Sequence, residues 1–273
     1  MSRPESFDAL VLGSGQAGKP LAVALAKAGR RTALVEREHV GGSCINYGCT
    51  PTKTLVASAR VAHLARRAGD YGVDVGTVSV DLGRVRERKR SMVARFRAGV
   101  LAGIERTEGL ELVRGHARLA GGHTVEVALD GGGARTLEAP WIFLNTGTRT
   151  AVPPIDGLDE VPWLDNASVM ELAELPPHLL VLGGGYIGLE LGQAFRRFGS
   201  EVTVVQRDRQ LLAREDPDVA EAVREILEED GIRVLLETEA RRVRRDGGGL
   251  RLEEKSGSGK RLEVSGSHLL VAA

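Results

Sequence analysis

The sequence predicts an α/β fold built as two copies of one unit, each a parallel sheet carrying an antiparallel β-meander. Three observations carry that prediction. An apolar run leads into a glycine motif and then a helix twice, at residues 7–18 and 178–188. Each copy continues into a second apolar run and later into alternating polar and apolar residues, the period of a half-buried strand. Glycine is abundant, at 35 residues, while aromatics make up only 4%, a balance that suits tight βα turns.

The length of 273 residues suggests two domains, read here as 1–150 and 151–273. Lys plus Arg and Asp plus Glu stand at 37 each, so no net field argues for nucleic acid or an anionic membrane surface as partner. The first eight residues are polar and apolar runs are short, so neither a secretory signal nor a membrane span is expected, and a cytoplasmic location is.

The first unit opens with a strand at 7–12, running into Gly13-Ser14-Gly15-Gln16-Ala17-Gly18. A helix is expected from about Pro20 to Ala28 and a second strand at 32–36. The second unit repeats this order: strand 178–182, Gly183-Gly184-Gly185-Tyr186-Ile187-Gly188, a helix to about Phe198, and a strand at 201–206. A lone GxGxxG is a weak signal. Here each copy follows a strand and opens a helix, the context in which backbone N–H groups approach a pyrophosphate at the helix N-terminus. Both units therefore read as Rossmann-like nucleotide-binding domains.

Between the first unit's strands lies Gly41-Gly42-Ser43-Cys44-Ile45-Asn46-Tyr47-Gly48-Cys49-Thr50-Pro51-Thr52-Lys53, which holds the chain's two cysteines. Pro51 suits a first helical position and Thr50 the cap before it. Cys49 would then sit at a helix N-terminus, where partial positive charge favours thiolate, with Lys53 one turn later. A structural disulfide across so short a loop would contribute only about 2 kcal/mol, and a chain of this length rarely needs such a staple. Redox chemistry is the better reading, and no metal site is assigned.

Residues 51–109 form a helical insertion, with amphipathic runs at 52–68 and 82–108. The second run places Val85, Met92, Val93, Phe96, Val100 and Ile104 on one face. Arg84, Arg86, Arg88, Lys89, Arg90, Arg95 and Arg97 lie on the other, expected to be a solvated face. Residues 110–137 alternate around Gly121-Gly122 and Gly131-Gly132-Gly133 as a meander would, followed by a strand at 141–144 and Asn145-Thr146-Gly147. Residues 152–177 read as the connection between units. The second meander spans 233–264, with turns at 247–249 and 256–259, and closes in a strand at 268–273. Aligning Leu144 with Val271 sets Gly147 opposite position 274, one beyond the sequence.

The copies differ where ligand identity is set. Glu36 lies 18 residues past Gly18, and a carboxylate there accepts ribose hydroxyls, as in FAD or NAD. The same count from Gly188 reaches Gln206, followed by Arg207, Asp208 and Arg209. Losing the carboxylate and gaining guanidinium groups favours a 2′-phosphate, hence NADPH over NADH.

These motifs resemble the class I pyridine nucleotide-disulfide oxidoreductases, the flavoproteins that include dihydrolipoamide dehydrogenase, glutathione reductase and mercuric reductase. The resemblance covers essentially the whole chain, and the Cys-x4-Cys-x-Pro-x-Lys core is its most specific part. Asn145-Thr146-Gly147 followed by Val152-Pro153-Pro154-Ile155 is most similar to the mercuric-reductase-like branch, whereas Tyr186 is of the glutathione-reductase type. The resemblance implies FAD on the first unit, held by Gly13, Gly15, Gly18, Glu36, Gly42, Ser43, Lys53, Gly115, His116, Ala117, Thr146 and Gly147. It implies a nicotinamide dinucleotide on the second, at Gly183, Gly185, Tyr186, Gly188, Arg207 and Arg209. Cys44 and Cys49 would form a redox-active disulfide, Cys49 against the flavin and Cys44 as the thiol that attacks a small disulfide or metal-ion substrate. Lys53 and Glu190 would form an ion pair near the flavin, and Tyr186 would cover the flavin until nicotinamide displaces it. Full-length relatives are homodimers with a C-terminal dimerisation domain, which has no counterpart here. The six histidines, His39, His63, His116, His123, His178 and His268, do not match the acid–base histidine of that domain. The resemblance thus implies a truncated NADPH- and FAD-dependent oxidoreductase. The alternative is a non-catalytic nucleotide-binding fragment whose cysteines never cycle.

Overall fold

The computed structural model describes residues 3–256 and 261–273, so the turn expected at 256–259 lies largely outside the described residues. The chain divides into two compact units: Met1–Pro51 with Arg90–Arg149, and Thr52–Lys89 with Thr150–Ala273. The helical insertion is therefore shared out, its first part packing with the second unit and its last part with the first.

In the first unit the strands are β1 (Glu5–Ser6), β2 (Ala9–Leu12), β3 (Thr32–Glu36), β4 (Leu110–Leu119), β5 (Thr124–Leu129), β6 (Ala134–Glu138) and β7 (Trp141–Leu144). They form one sheet in the order β1-β6-β5-β4-β3-β2-β7. β7, β2, β3 and the start of β4 are parallel, whereas β4, β5 and β6 form the antiparallel meander. All four residues of β2 are buried because both faces are covered, which is why the run is uninterruptedly apolar. Leu10 and Leu12 face a core with Ala33, Val35 and Val113, while Val11 faces α1 (Gly18–Lys27) and Ile104. β4 passes from the parallel to the antiparallel pairing at Gly115, where an added Cβ would stand 2.2 Å from the Ala128 carbonyl oxygen.

The second unit repeats the plan. The strands β8 (His178–Leu182), β9 (Glu201–Val205) and β10 (Arg233–Leu235) join β14 (His268–Val271) in a parallel sheet of order β10-β9-β8-β14. β11 (Thr238–Asp246), β12 (Gly249–Ser256) and β13 (Arg261–Gly266) form a separate antiparallel sheet. One face of β8, with Leu179 and Val181, packs on Phe195 and Phe198 of α5 (Tyr186–Phe198). The other, with Leu180 and Leu182, packs on Val243, Leu252 and Val264 of the meander. The expected correspondence of Leu144 and Val271 holds in the registers. Leu12 pairs with Leu144, Leu182 pairs with Val271, and the next N–H of each closing strand donates to Leu12 and Leu182 respectively at 2.8 Å.

Three expectations are corrected. The cysteine-bearing helix α3 (Cys49–Arg66) begins at Cys49 itself, two residues early, because its first turn needs no backbone donors and accommodates Pro51 without loss. A five-residue helix, α2 (Gly42–Asn46), also holds Cys44. On α4 (Leu82–Glu105), Phe96 is 49% exposed, and the basic face is not simply solvated. Lys89 is buried and paired with Glu171, Arg88 donates to the Thr54 carbonyl at 2.7 Å, and Arg97 donates to Asn46 Oδ1 at 2.9 Å. The helix α6 (Pro217–Glu229) was not assigned from sequence, although Pro217 opens it and Ala220 and Leu227 are buried on one face. Among the described residues no helix is long and apolar enough to cross a membrane.

Candidate functional site

Each unit places a cavity where its glycine loop leaves the sheet, outside the C-terminal ends of the parallel strands. In the first unit this cavity has a volume of about 510 Å³. It is lined by Gly13, Gly15, Glu36, Gly42, Ser43, Cys44, Gly115, His116, Ala117, Thr146 and Gly147, so residues far apart in sequence converge on one site. Gly18 lies beneath it: a Cβ there would come within 1.9 Å of the Gly13 carbonyl oxygen, so its role is to let α1 close on the strand. Gly13 has φ +102° and would clash with the Asn145 carbonyl oxygen at 2.1 Å. The nearest atom to a Cβ on Gly15, by contrast, is 3.8 Å away, at Gly42 Cα. Space at the middle glycine is kept open rather than filled, as a cradle for a bound group requires.

Glu36 ends β3 and is fixed to that loop. Its Oε2 accepts the Ser14 N–H at 3.0 Å and the Ser14 hydroxyl at 2.6 Å, while Oε1 accepts the Glu38 N–H at 2.9 Å. Ser14 Oγ also accepts the Gly41 N–H at 3.2 Å, tying the cysteine segment to the loop. Asn46 holds the same segment from below, donating to the carbonyls of Val40 at 3.1 Å and Gly42 at 2.9 Å.

Both cysteines are free thiols. Cys44 is half-buried in the cavity wall and Cys49 is exposed outside it. Contact with the Cys49 side chain, and then burial, push the Cys44 thiol above its ordinary range. Lys53, one turn along α3 from Cys49, forms an ion pair with Glu190 of α5. The far end of α3 is fixed to α5 as well, Arg66 donating to the Phe198 carbonyl at 3.1 Å.

In the second unit the cavity measures about 710 Å³ and is lined by Gly183, Gly185, Tyr186 and Arg207 among others. Gly188 lies beneath, its Cβ position 2.4 Å from the Gly183 carbonyl oxygen, and nothing stands within 4 Å of a Cβ on Gly185. The geometry of the first loop is thereby reproduced. Gln206 is buried, with Oε1 accepting the Gly184 N–H at 3.0 Å and Nε2 donating to Asp208 Oδ2 at 3.0 Å and the Gln210 carbonyl at 3.2 Å. Arg209 does not join this cavity and lines a separate depression with Arg224. Asp208 and Arg214 do line it. Arg214 escaped the sequence reading because the loop after β9 folds back, the Leu212 N–H donating to the Gly184 carbonyl at 2.9 Å, and no motif signals that return.

The sequence matches the family described as pyridine nucleotide-disulphide oxidoreductase over residues 7–273. It is 40% identical to a mercuric reductase of Streptomyces lividans over 267 residues, covering 97% of this chain and 56% of that protein. It is 36% identical to a dihydrolipoyl dehydrogenase of Chlorobaculum tepidum over 228 residues, covering 84% of this chain and 48% of that protein. Among solved structures, the Cu(II) complex of the HOCl-induced flavoprotein disulfide reductase RclA from Escherichia coli superposes with a TM-score of 0.85 at 33% identity. That match covers 98% of this chain and 56% of the other. The chain thus spans about half the length of the relatives it matches.

Proposed function

Since the chain belongs to the pyridine nucleotide-disulphide oxidoreductases, we propose that it carries the electron-transfer half of such an enzyme. The path runs from NADPH to FAD to the Cys44–Cys49 pair, and from there to a small disulfide or a metal ion. The observation that carries this reading is the convergence of Cys44 with the glycine loop, Glu36 and the 115–117 and 146–147 segments on one cavity. FAD fits there because the open cradle at Gly15 suits a pyrophosphate and the Glu36 carboxylate suits ribose hydroxyls. Bound FAD supplies two-electron chemistry between a nicotinamide and a disulfide.

The chain's own residues do the rest. In the reduced pair Cys44 gives up its proton and attacks a substrate disulfide, forming a mixed disulfide and releasing one thiolate, which takes that proton. Cys49 then gives up its proton and attacks the Cys44 sulfur, expelling the second substrate thiolate, which takes it, and leaving the Cys44–Cys49 disulfide to be reduced again. The greater exposure of Cys49 favours a second reading in which the two sulfurs exchange roles. Lys53, one turn along α3 from Cys49, is oriented by its ion pair with Glu190. In the second unit NADPH is favoured over NADH by Arg207 and Arg214 in the cavity wall. Asp208 opposes a 2′-phosphate, but one of its oxygens is engaged by Gln206 and the other lies 3.7 Å from Arg207. The proposed location is the cytoplasm.

Purification of the 273-residue chain tests the proposal. A yellow protein that bleaches with NADPH and then gains a long-wavelength absorbance on reduction of the cysteine pair supports it. Turnover with lipoamide, oxidised glutathione, Hg(II) and Cu(II) then ranks substrates. A colourless protein with two freely titrating thiols leaves the non-catalytic nucleotide-binding alternative in possession.

A further inference from the structure

The basic face of α4 supplies one cation that the proposed exchange leaves unassigned. Arg97 lies on the part of α4 that packs with the first unit, and its Nε donates to Asn46 Oδ1 at 2.9 Å. Asn46 ends α2, two residues past Cys44, and is 8% exposed. Its amide nitrogen faces three carbonyl oxygens, those of His39 at 3.3 Å, Val40 at 3.1 Å and Gly42 at 2.9 Å. A guanidinium only donates and a carbonyl only accepts, so the amide between them has one orientation that satisfies both sides. That amide closes residues 39–46 into a ring with Cys44 inside it. The ring contains Gly42 at φ +62°, where a Cβ would stand 2.5 Å from Gly15 Cα. The turn therefore abuts the open cradle, and a change in the turn moves Cys44 in the cavity wall. Tyr47, the next residue, lines the same cavity. Burial first, then the Glu38 carboxylate, push its phenol above the ordinary range, and the Arg97 charge opposes the shift. Arg97 thus acts on this wall twice, by a bond to Asn46 and by its charge on Tyr47.

We propose that Arg97 is a positioning residue for Cys44, fixing through Asn46 the turn that presents this sulfur and so setting how readily it exchanges. The inference rests on the reading of Cys44 and Cys49 as an exchanging pair. A buried amide oxygen left without its donor costs free energy, so loss of the guanidinium favours a relaxed turn in which the amide reaches water. Relaxation weakens both causes that hold the Cys44 thiol up, its contact with the Cys49 side chain and its burial. Cys44 then ionises and reacts more readily. Cys49 opens α3 and is exposed already, so its own rate changes little.

Alkylation of the reduced full chain by iodoacetamide at pH 7.5, read by peptide mass spectrometry, tests this in R97M and R97Q. The two variants lose the same charge. Methionine sets a methyl where Arg97 has Nε, whereas glutamine sets an N–H donor there. In R97M the Cys44 rate, taken relative to Cys49 in the same molecules, is expected to rise roughly threefold or more. R97Q keeps the bond to Asn46 and should stay near the parent ratio. An unchanged ratio in R97M, including one in which both rates rise together, overturns the role. So does an equal rise in R97M and R97Q, which would trace the effect to charge. R97A replaces R97M if that variant does not fold. A chain that folds only with a donor at position 97 would make the role one of stability alone and overturn it too. Oxidised glutathione tests the pair itself, since closing the Cys44–Cys49 disulfide releases two glutathione thiols for each one consumed. A parent that forms no such disulfide overturns the reading of the pair, a failure distinct from equal alkylation in the two variants.

Discussion

Glu36 and Gln206 do the same local work in the two units: each accepts, at 3.0 Å, the backbone N–H of the second residue of its glycine loop. The loop is pinned to the second strand in both cases, and only what remains of the side chain differs. Glu36 presents a carboxylate to its cavity, whereas Gln206 spends its amide donors on Asp208 and the Gln210 carbonyl. The amide thus neutralises one wall of the second cavity and orders the loop that carries Arg207 and Arg214.

Replacing that amide by a carboxylate exposes its structural share. In Q206E both donors vanish and a second carboxylate faces Asp208 in a buried position. A destabilisation of about 2 kcal/mol is expected at pH 7.5 from the unpaired acceptors and the like charge. The new carboxyl has its folded pKa raised, so the penalty is present at neutral pH and shrinks as pH falls through that raised value. Urea unfolding at pH 7.5 and pH 5.5 measures both, and equal stability of variant and parent at the higher pH would remove the structural role.

The glycines of the second loop should separate packing from ligand binding. In G188A the Cβ meets the Gly183 carbonyl oxygen at 2.4 Å, so α5 must shift off its strand. Nothing lies within 4 Å of the Cβ in G185A, and φ of −86° suits any residue. G188A is therefore expected to lower the melting temperature clearly, a loss of about 2 kcal/mol or more. G185A should melt like the parent but lose dinucleotide affinity by roughly tenfold or more, because its methyl occupies the space a pyrophosphate needs. Thermal melts paired with NADPH titration decide it, and a G185A protein that binds as the parent does would mean the open cradle is not used.

Much of this was legible in the sequence, and for identifiable reasons. β3 and β8 lie on their apolar runs, since parallel strands covered on both faces carry few polar residues. The GxGxxG loops were legible because Gly13, Gly18, Gly183 and Gly188 are each demanded by a backbone carbonyl. The basic face of α4 misled because composition cannot distinguish a solvated lysine from Lys89, which a distant Glu171 draws inside. Arg209 misled in the same way: counting residues past β9 assumes an extended chain, and the loop folds back at Leu212, bringing Arg214 to the cavity instead.

The two lysine–glutamate pairs in the second unit should behave differently. Lys89 is 4% exposed, so E171Q strands a buried ammonium, although the half-exposed carboxylate side admits some water. A cost of about 2 kcal/mol is expected, below the full cost of breaking a fully buried pair. The Lys53 side chain is 67% exposed and that of Glu190 30%, so E190Q should change stability by less than about 1 kcal/mol. Urea unfolding of both variants tests the contrast. Equal losses would mean that burial of Lys89 is not what gives its pair weight.

The cysteine pair offers a chemical test that needs no bound cofactor. Cys44 is half-buried and its thiol is held up, chiefly by the Cys49 side chain, whereas Cys49 is exposed. Below its pKa the thiolate fraction rises tenfold per pH unit, so a raised pKa moves the reactivity of Cys44 to higher pH. In the reduced protein at pH 7.5, iodoacetamide should therefore modify Cys49 before Cys44, by roughly threefold or more. C49A removes the largest cause of the shift but keeps the backbone N–H that favours the Cys44 thiolate, so Cys44 should alkylate faster in that variant than in the parent. Peptide mass spectrometry over a pH series reads both rates. If Cys44 reacted first in the parent, or at the same rate in C49A, the contact between the two sulfurs would not control the pair. The order of attack in the proposed exchange would then have to be drawn from exposure alone.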